Sequence, residues 1–219
     1  MNLIVICVFY PPIRTSASIQ INYLVEEIIK QGNKVTVITP DSNIKSPFEV
    51  IKENNLSIYR FKSNKLQDIN FLKRTINEFL MPFKIIKTII FNSLELKNYE
   101  GIIWWSPSIF LTPLIIFLKF RNKCPDYLIL RDIFPRWAKD LNLISNNLIY
   151  ILFDIFFKLQ CYVTDYIGIQ SKGNRKFIPK NILGKKIKVE VLNNWYKCTK
   201  ESSKFFLDNK KLFGKKVFI

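Results

Sequence analysis

Arg131 and Asp132 are the two adjacent residues whose types and position best suit chemistry. They follow an apolar run at residues 127–130, and Pro135 soon afterwards forces a new structural element to begin. The pattern predicts a buried strand that ends at a charged pair. In open α/β sheets, ligands bind in the crevice outside the carboxyl ends of the strands, so this position is a candidate site. The alternative is structural: the two charges form an ion pair or cap the next helix.

Polar and aromatic side chains follow the other predicted strands as well. Hydroxyl and amide groups hydrogen-bond to sugar hydroxyls, an indole ring stacks on the apolar face of a sugar, and a cationic Arg14 or Arg131 can hold a phosphate. Because the carboxyl ends of parallel strands meet at one edge of a sheet, we expect these side chains to line one binding site. The residues assigned to substrate binding are Tyr10, Arg14, Ser16, Ser106, Trp137, Ser171, Asn174, Asn193, Asn194 and Trp195.

The elements that must position these residues alternate between strands and helices. Apolar or alternating stretches predict strands at residues 3–9, 34–40, 56–61, 99–107, 127–131, 165–171 and 188–195. A helix follows the first loop, with Ser16 or Ser18 as its N-cap and Gly32 at its end. The alternating strand at residues 56–61 is expected nearer the sheet edge. This order predicts an α/β fold with a Rossmann-like, doubly wound, mostly parallel sheet.

The longest helical pattern covers residues 69–90, and Pro82 is expected to kink or divide it. One apolar stripe has helical spacing: Ile69, Leu72, Ile76, Phe79, Phe83, Ile86 and Ile90. Further apolar residues make the surface wider than one core-facing stripe requires: Phe71, Leu80, Met81, Ile85 and Ile89. Lys73, Lys84 and Lys87 lie along one side, as in a helix that rests on a lipid surface. The alternative is a core helix whose lysines face solvent.

Three shorter helices complete the pattern, at residues 114–120, 137–143 and 147–162. Thr112 and Pro113 suit the N-cap and first position of the first of them.

Composition narrows the function further. The 219 residues include 34 Lys and Arg against 17 Asp and Glu, a formal net charge of +17, which favours an anionic partner such as a membrane surface or a phosphorylated substrate. The lysines are scattered and the aromatic residues do not alternate with them, so we expect no nucleic acid; a basic nucleic-acid-binding α/β protein is the alternative. The chain has no His and no Asp-x-Asp pair, and its six Gly form neither a dinucleotide fingerprint nor a P-loop. We therefore expect no metal, no cofactor and no nucleotide bound by this chain alone.

Cysteine placement and terminal sequence bear on the compartment. The four Cys lie far apart without paired spacing, as expected of free thiols in a reducing cytoplasm. The N-terminal run lacks a basic segment and a cleavage site, so it is predicted to be a strand rather than a signal peptide. Residues 102–118 are uncharged, but Ser, Thr and Pro interrupt a run that is already at the short limit for a membrane span. We expect a cytoplasmic protein that is peripheral on the inner face of the cell membrane.

Several segments together resemble the N-terminal half of the GT-B glycosyltransferases of family four. They are most similar to the L-fucosamine (N-acetyl-fucosamine) transferases of O-antigen and capsule biosynthesis. The segments that carry the resemblance are Tyr10-Pro-Pro12, Leu24-Val-Glu-Glu-Ile28, Lys34-Val-Thr-Val-Ile38, Arg131-Asp-Ile-Phe-Pro-Arg-Trp137, Gln170-Ser-Lys-Gly-Asn174 and Val191-Leu-Asn-Asn-Trp195. One segment departs from the family: residues 14–18 contain no glycine, where many relatives place glycines near the donor phosphates.

The resemblance implies two facing Rossmann-like domains, of which the first binds the acceptor and the second binds the nucleotide sugar. It divides the chain into an acceptor-binding domain at residues 1–200, and a linker helix with the first strand of a truncated donor-binding domain at residues 201–219. It implies a retaining transfer to a polyprenyl-diphosphate-linked glycan, in which Asp132 orients the acceptor hydroxyl and Arg131 holds a phosphate or Asp132. The chain alone is then expected not to transfer sugar. A non-catalytic truncated relic is the alternative.

Overall fold

The computed structural model describes residues 1–106, 108–144, 147–179 and 187–196. The strands are β1 (Asn2–Ile6), β2 (Lys34–Asp41), β3 (Phe48–Glu53), β4 (Leu56–Lys62), β5 (Gly101–Ser106), β6 (Asp126–Leu130), β7 (Tyr166–Ile169) and β8 (Lys188–Val191). The helices are α1 (Ser16–Lys30), α2 (Phe71–Phe91), α3 (Thr112–Asn122), α4 (Arg136–Asp140) and α5 (Asn147–Val163), with 3₁₀ segments at Ile109–Leu111 and Lys172–Phe177. The helix and strand predicted at residues 201–219 lie outside the described residues.

The described strands form one sheet in the order β3-β4-β2-β1-β5-β6-β7-β8. Every neighbouring pair is parallel except β3 and β4, which form an antiparallel hairpin. The predicted mostly parallel, Rossmann-like sheet is confirmed, and β4 lies next to the edge strand as expected. Strand β3 was not predicted, because nearly all its side chains are exposed and an edge strand needs no apolar run.

Each face of the sheet carries its own core. Ile4 and Ile6 of β1 pack on the face covered by α2, α3, α4 and α5, whereas Val5 and Cys7 pack on the face covered by α1. Successive side chains of a strand point to opposite faces, so a strand buried on both sides is apolar at every position. This requirement explains the unbroken apolar runs in the sequence.

Helix α2 turns a different side to the core than its apolar periodicity first indicates. Its buried residues are Asn77, Met81, Pro82, Ile85 and Ile89. The stripe that contains Leu72, Ile76 and Phe83 is exposed instead. Both stripes are apolar, so periodicity alone cannot decide which one faces the sheet. Pro82 does not divide the helix, which runs unbroken from Phe71 to Phe91.

Two helix starts differ by a residue or more from those predicted. The N-cap of α1 is Thr15, whose hydroxyl accepts a hydrogen bond from the backbone N–H of Ser18, so neither Ser16 nor Ser18 is the cap. Helix α3 begins at Thr112, after Leu111 as its N-cap. The uncharged run at residues 102–118 includes part of β5, a 3₁₀ segment and the start of α3. Among the described residues, no helix is both long enough and apolar enough to cross a membrane.

A charged cluster anchors the amino-terminal edge of the sheet. The Lys119 ammonium donates to both Asp126 and Asp165, at 2.8 Å from Asp165 Oδ2. The fully buried Trp104 donates its indole N–H to Asp126 at 2.7 Å. Burial alone would lower the pKa of Lys119, but contact with the two carboxylates outweighs burial and raises it. The cluster ties α3 to β5, β6 and the start of β7 at the edge opposite the candidate site.

Candidate functional site

The candidate site lies along the carboxyl edge of the sheet. Strands β1, β5, β6, β7 and β8 are consecutive neighbours and run parallel, so the residues that follow them gather at the same edge. Tyr10, Ser106, Asp132 and Asn194 all stand at or just beyond the ends of these strands. The fold therefore brings these four predicted residues to one edge of the sheet. Their side chains do not all lie on the same face of the sheet, however.

Arg131 and Asp132 lie on opposite faces. The Arg131 guanidinium stacks on Trp105 and Trp195, which belong to the core beside α1. Asp132 lines a cavity on the other face, among residues of the larger core. The alternation of side chains along an extended chain places neighbours on opposite sides. No ion pair joins the two residues in the described part of the chain, so they do not form the predicted pair with each other.

Arg131 is enclosed by aromatic rings. Its guanidinium carbon lies 5.0 Å from the centre of the Trp105 ring and 4.5 Å from that of Trp195. One of its nitrogens donates to the side-chain oxygen of Asn194. The indole N–H of Trp195 in turn donates to the carbonyl of Gln20 at 2.8 Å. This chain of contacts attaches the segment after β8 to β6 and to helix α1.

Little of the Arg131 side chain is exposed to solvent. The residue is 8% exposed, and burial lowers the pKa of its guanidinium, while the charges of Tyr127 and Asp132 act in the opposite direction. Its Nε and Nη2 atoms are buried without a hydrogen-bond partner, as is the hydroxyl of Tyr10 on the same face. Burial likewise raises the pKa of Tyr10. Because Arg131 is buried against Trp105 and Trp195 and bonds Asn194, its geometry favours a positioning role over direct contact with a phosphate.

Asp132 stands at the mouth of a cavity of about 420 Å³. Trp137 is part of the same wall, so the fold brings these two predicted residues together. Other lining side chains are mostly apolar: Phe71, Ile109, Phe110, Phe134, Ala138 and Phe153. Although Asp132 is exposed to solvent on one side, burial by these walls raises the pKa of its carboxyl, and Arg131 opposes the shift. A partly dehydrated carboxylate beside an apolar cavity can accept a hydrogen bond from a hydroxyl group of a bound molecule.

The remaining predicted residues fall into separate places. Ser106 is buried and its hydroxyl donates to Gln160 of α5 at 3.1 Å. Ser171 donates to the side chain of Asn174 at 3.3 Å at the start of a 3₁₀ segment. Arg14, Ser16 and Asn193 are exposed. Of the predicted substrate-binding residues, Trp137 alone lines the Asp132 cavity.

A second, polar recess at the same edge was missed by the sequence analysis. Its volume is about 250 Å³, and it lies where β1, β2 and β4 end. Its polar lining includes Asp41, Asn43, Ser63, Asn64 and Gln67. The signal was present in the polar residues that directly follow two apolar strands. Buried Arg60 supports this recess, since it lies 3.5 Å from Asp41 and also donates to the carbonyl of Pro11.

A broad apolar face flanks the Asp132 cavity. Helices α2 and α5 meet where Phe79 packs against Phe156, with 5.9 Å between ring centres. We call the outward surface of these helices the apolar face; its members, each between 39% and 70% exposed, include Leu72, Ile76, Phe79, Phe83, Leu152 and Ile155. Exposed large apolar side chains gathered on neighbouring helices are typical of an interaction site.

The predicted membrane-surface lysines lie on α2 beside this face. All three are exposed. Lys84 donates to Asn64 at 3.1 Å, and the Lys87 ammonium lies 5.4 Å from the centre of the Phe91 ring. The backbone N–H of Lys73 donates a hydrogen bond to the side-chain oxygen of Asn70.

Metal binding finds no support in side-chain placement. Within the described ranges, no three His, Cys, Asp or Glu side chains stand close enough to hold a metal ion.

The fold is that of a Rossmann-like domain of the GT-B glycosyltransferases. One similar structure is the sucrose-phosphate synthase of Thermosynechococcus elongatus, with TM-score 0.62 and 12% identity over 88% of this chain and 47% of that one. Another is the catalytic domain of starch synthase IV of Arabidopsis thaliana, bound to ADP and acarbose, with TM-score 0.59 and 8% identity over 88% and 51%. A third is the UDP-forming α,α-trehalose-phosphate synthase of Burkholderia xenovorans in complex with glucose-6-phosphate, with TM-score 0.56 and 11% identity over 83% and 43%.

At this level of identity the likeness establishes the fold. This chain spans about half the length of these three structures. No protein-family model matches the sequence, and no curated protein matches it.

Proposed function

We propose that this chain is the acceptor-binding half of a glycosyltransferase, which transfers a sugar from a nucleotide sugar to a lipid-linked glycan when a donor-binding domain completes it. The observation that carries the proposal is the position of Asp132. It stands at the carboxyl edge of a GT-B-type sheet, at the mouth of a cavity shared with Trp137. The GT-B-type fold supports the class of reaction, and Asp132 at the carboxyl edge supports a place for an acceptor hydroxyl there.

In the proposed reaction, Asp132 accepts a hydrogen bond from the acceptor hydroxyl and orients it. The hydroxyl oxygen forms a bond to the anomeric carbon of the donor while the bond from that carbon to the diphosphate breaks. The departing phosphate oxygen takes the proton, so no dedicated base is required. Arg131 does not contact the substrates in this reaction. Its cation–π contacts with Trp105 and Trp195 fix the backbone that carries Asp132.

The proposed acceptor places the protein at a membrane. The apolar face and the adjacent Lys73, Lys84 and Lys87 match a helix pair that rests on anionic lipid. A lipid-linked glycan such as a polyprenyl-diphosphate precursor of O-antigen or capsule is held at such a surface. The proposal therefore puts the protein on the cytoplasmic side of the cell membrane, with residues 1–200 as the acceptor domain and residues 201–219 leading into the donor domain.

Calorimetry on the chain alone tests whether it binds the acceptor rather than the nucleotide sugar. UDP-sugar is expected to show no saturable heat of binding, because the carboxyl edge carries no glycine loop that cradles phosphates. A soluble analogue of the lipid-linked acceptor is expected to bind saturably, and Asp132→Ala is expected to weaken that binding. Micromolar binding of UDP-sugar without binding of the acceptor analogue would assign the donor role to this chain instead.

A further inference from the structure

We propose that the Asp132 cavity binds the hydrocarbon chain of a single lipid molecule. The inference does not depend on the proposed function, because the hydrocarbon is that of a neutral lipid with a hydroxyl head group rather than that of a diphosphate-linked acceptor. The cavity volume of about 420 Å³ lies within the range of small-molecule binding sites. Its walls are aromatic and aliphatic, with few groups that a polar ligand could use.

Three large apolar residues of the cavity lining are exposed. Phe71, Trp137 and Leu143 are respectively 58%, 43% and 66% exposed, and exposed Arg74 and Asp132 also belong to the lining. The three large apolar side chains are left in contact with water, and burying them against a hydrocarbon chain stabilises the complex.

The cavity and the apolar face share helices α2 and α5. Phe71 and Thr75 of α2 and Phe153 of α5 line the cavity, while Ile76, Leu152 and Ile155 of the same helices face outward. A chain that leaves a lipid layer beneath the apolar face would therefore reach the cavity along the apolar residues of these two helices. Exposed Lys84 and Lys87 on α2 supply the charge that draws the face to anionic lipid.

The charges at the rim indicate which end of the lipid lies at the mouth. Arg74 and Glu78 pair with each other at 2.7 Å, whereas no ion pair involves Asp132 among the residues that the structure describes. A carboxylate head beside Asp132 would be repelled, whereas a hydroxyl can donate to it. The suitable probe is therefore a neutral long-chain alcohol.

The test uses parinaryl alcohol, a fluorescent polyene alcohol, titrated into the full chain without vesicles and below the concentration at which the probe forms micelles. Saturable binding with one probe per chain is expected. Thr75→Trp should fill the cavity and weaken binding by about tenfold or more. Thr88→Trp is the matched control, because both threonines are half-buried on α2 and donate to the carbonyl four residues earlier, but Thr88 lies away from the cavity.

A second measurement guards against a folding defect in the filled variant. A long-chain alcohol with a mid-chain diazirine should label residues of the cavity wall, and mass spectrometry should locate the label. Labelling elsewhere, or equal binding by the two tryptophan variants, would overturn the inference. A third outcome would also overturn it: the protein elutes as a dimer, binds no probe, and becomes a monomer when Thr75→Trp is introduced. A second copy of the chain would then occupy the cavity.

The outcomes separate this inference from the proposed function. Retained acceptor binding with no parinaryl alcohol binding would reject the lipid cavity alone. Probe binding to the cavity by a protein that binds no glycan acceptor would reject the proposed function alone.

Discussion

Arg131 and Asp132 are consecutive in the chain, yet their side chains lie on opposite faces of the sheet. Arg131 contacts Trp105 and Trp195, whose rings are nearly perpendicular to each other, and Asp132 lines the cavity beside Trp137. The two residues therefore have separable roles: one fixes the strand end and the other presents a carboxylate at it. Substitutions at the two positions should affect different properties of the protein.

Arg131→Lys is expected to lower the free energy of unfolding by about 2 kcal/mol, because an ammonium cannot contact both indoles and bond Asn194 as a planar guanidinium does. Chemical denaturation followed by tryptophan fluorescence measures the change. Arg14→Lys, at an exposed position, is the control and should leave stability unchanged. Equal stabilities of wild type and Arg131→Lys would remove the positioning role.

Asp132→Ala is expected to abolish sugar transfer by the chain together with a donor-binding domain, while the unfolding free energy stays within about 0.5 kcal/mol of wild type. Burial raises the pKa of the Asp132 carboxyl, so the fraction able to accept a hydrogen bond should fall at a higher pH than for a free aspartate. The transfer rate should accordingly decline on the acid side, at a pH above the usual aspartate value. Full activity of the alanine variant would dismiss the role of Asp132.

Lys84→Glu combined with Lys87→Glu is expected to reduce recovery in flotation with anionic liposomes, because each lysine near the surface contributes about 1 kcal/mol. The double change lowers the formal net charge from +17 to +13, since each substitution replaces one positive charge with one negative charge. Lys34→Glu with Lys52→Glu makes the same change at exposed positions away from α2. If both double variants float equally, α2 is not the membrane-binding surface.

Lys119→Met is expected to cost about 3 kcal/mol of stability near neutral pH, because it leaves the buried carboxylate of Asp126 beside Asp165 without a cation. Lys123→Met, at an exposed position nearby, should cost little.

The loss of stability caused by Lys119→Met should become smaller as the pH falls. In the wild type, burial raises the pKa of Asp126, and although burial acts in the same direction on Asp165, its hydrogen bonds to Lys119 and Asp126 lower its pKa. The stabilising contribution of Asp165 is therefore present above the unfolded pKa and is lost as pH falls through the folded one. Without Lys119 both folded pKa values should exceed the unfolded ones, so the penalty is present near neutral pH and is relieved towards about pH 4. A pH-independent difference between the two proteins would contradict this account.

Much of the fold could be predicted from local chemistry. Strands buried on both faces are largely apolar, so β1, β5 and most of β2 and β6 are visible as apolar stretches. The exposed edge strand β3 has no such requirement, and its sequence gives no comparable signal. Parallel pairing then places the polar residues that follow these strands at one edge.

The sequence by itself determined the alternating α/β order, the shared carboxyl edge and the residues that gather there, because each follows from local periodicity and strand direction. Only the tertiary structure decided which face each side chain occupies. Helix α2 has two apolar stripes, and contact with the sheet selected the one with Met81, Ile85 and Ile89, which leaves Phe79 and Phe83 outward. The same packing separated Arg131 from Asp132 and enclosed the cavity among α2, α4 and α5, because a cavity is the space between elements far apart in sequence.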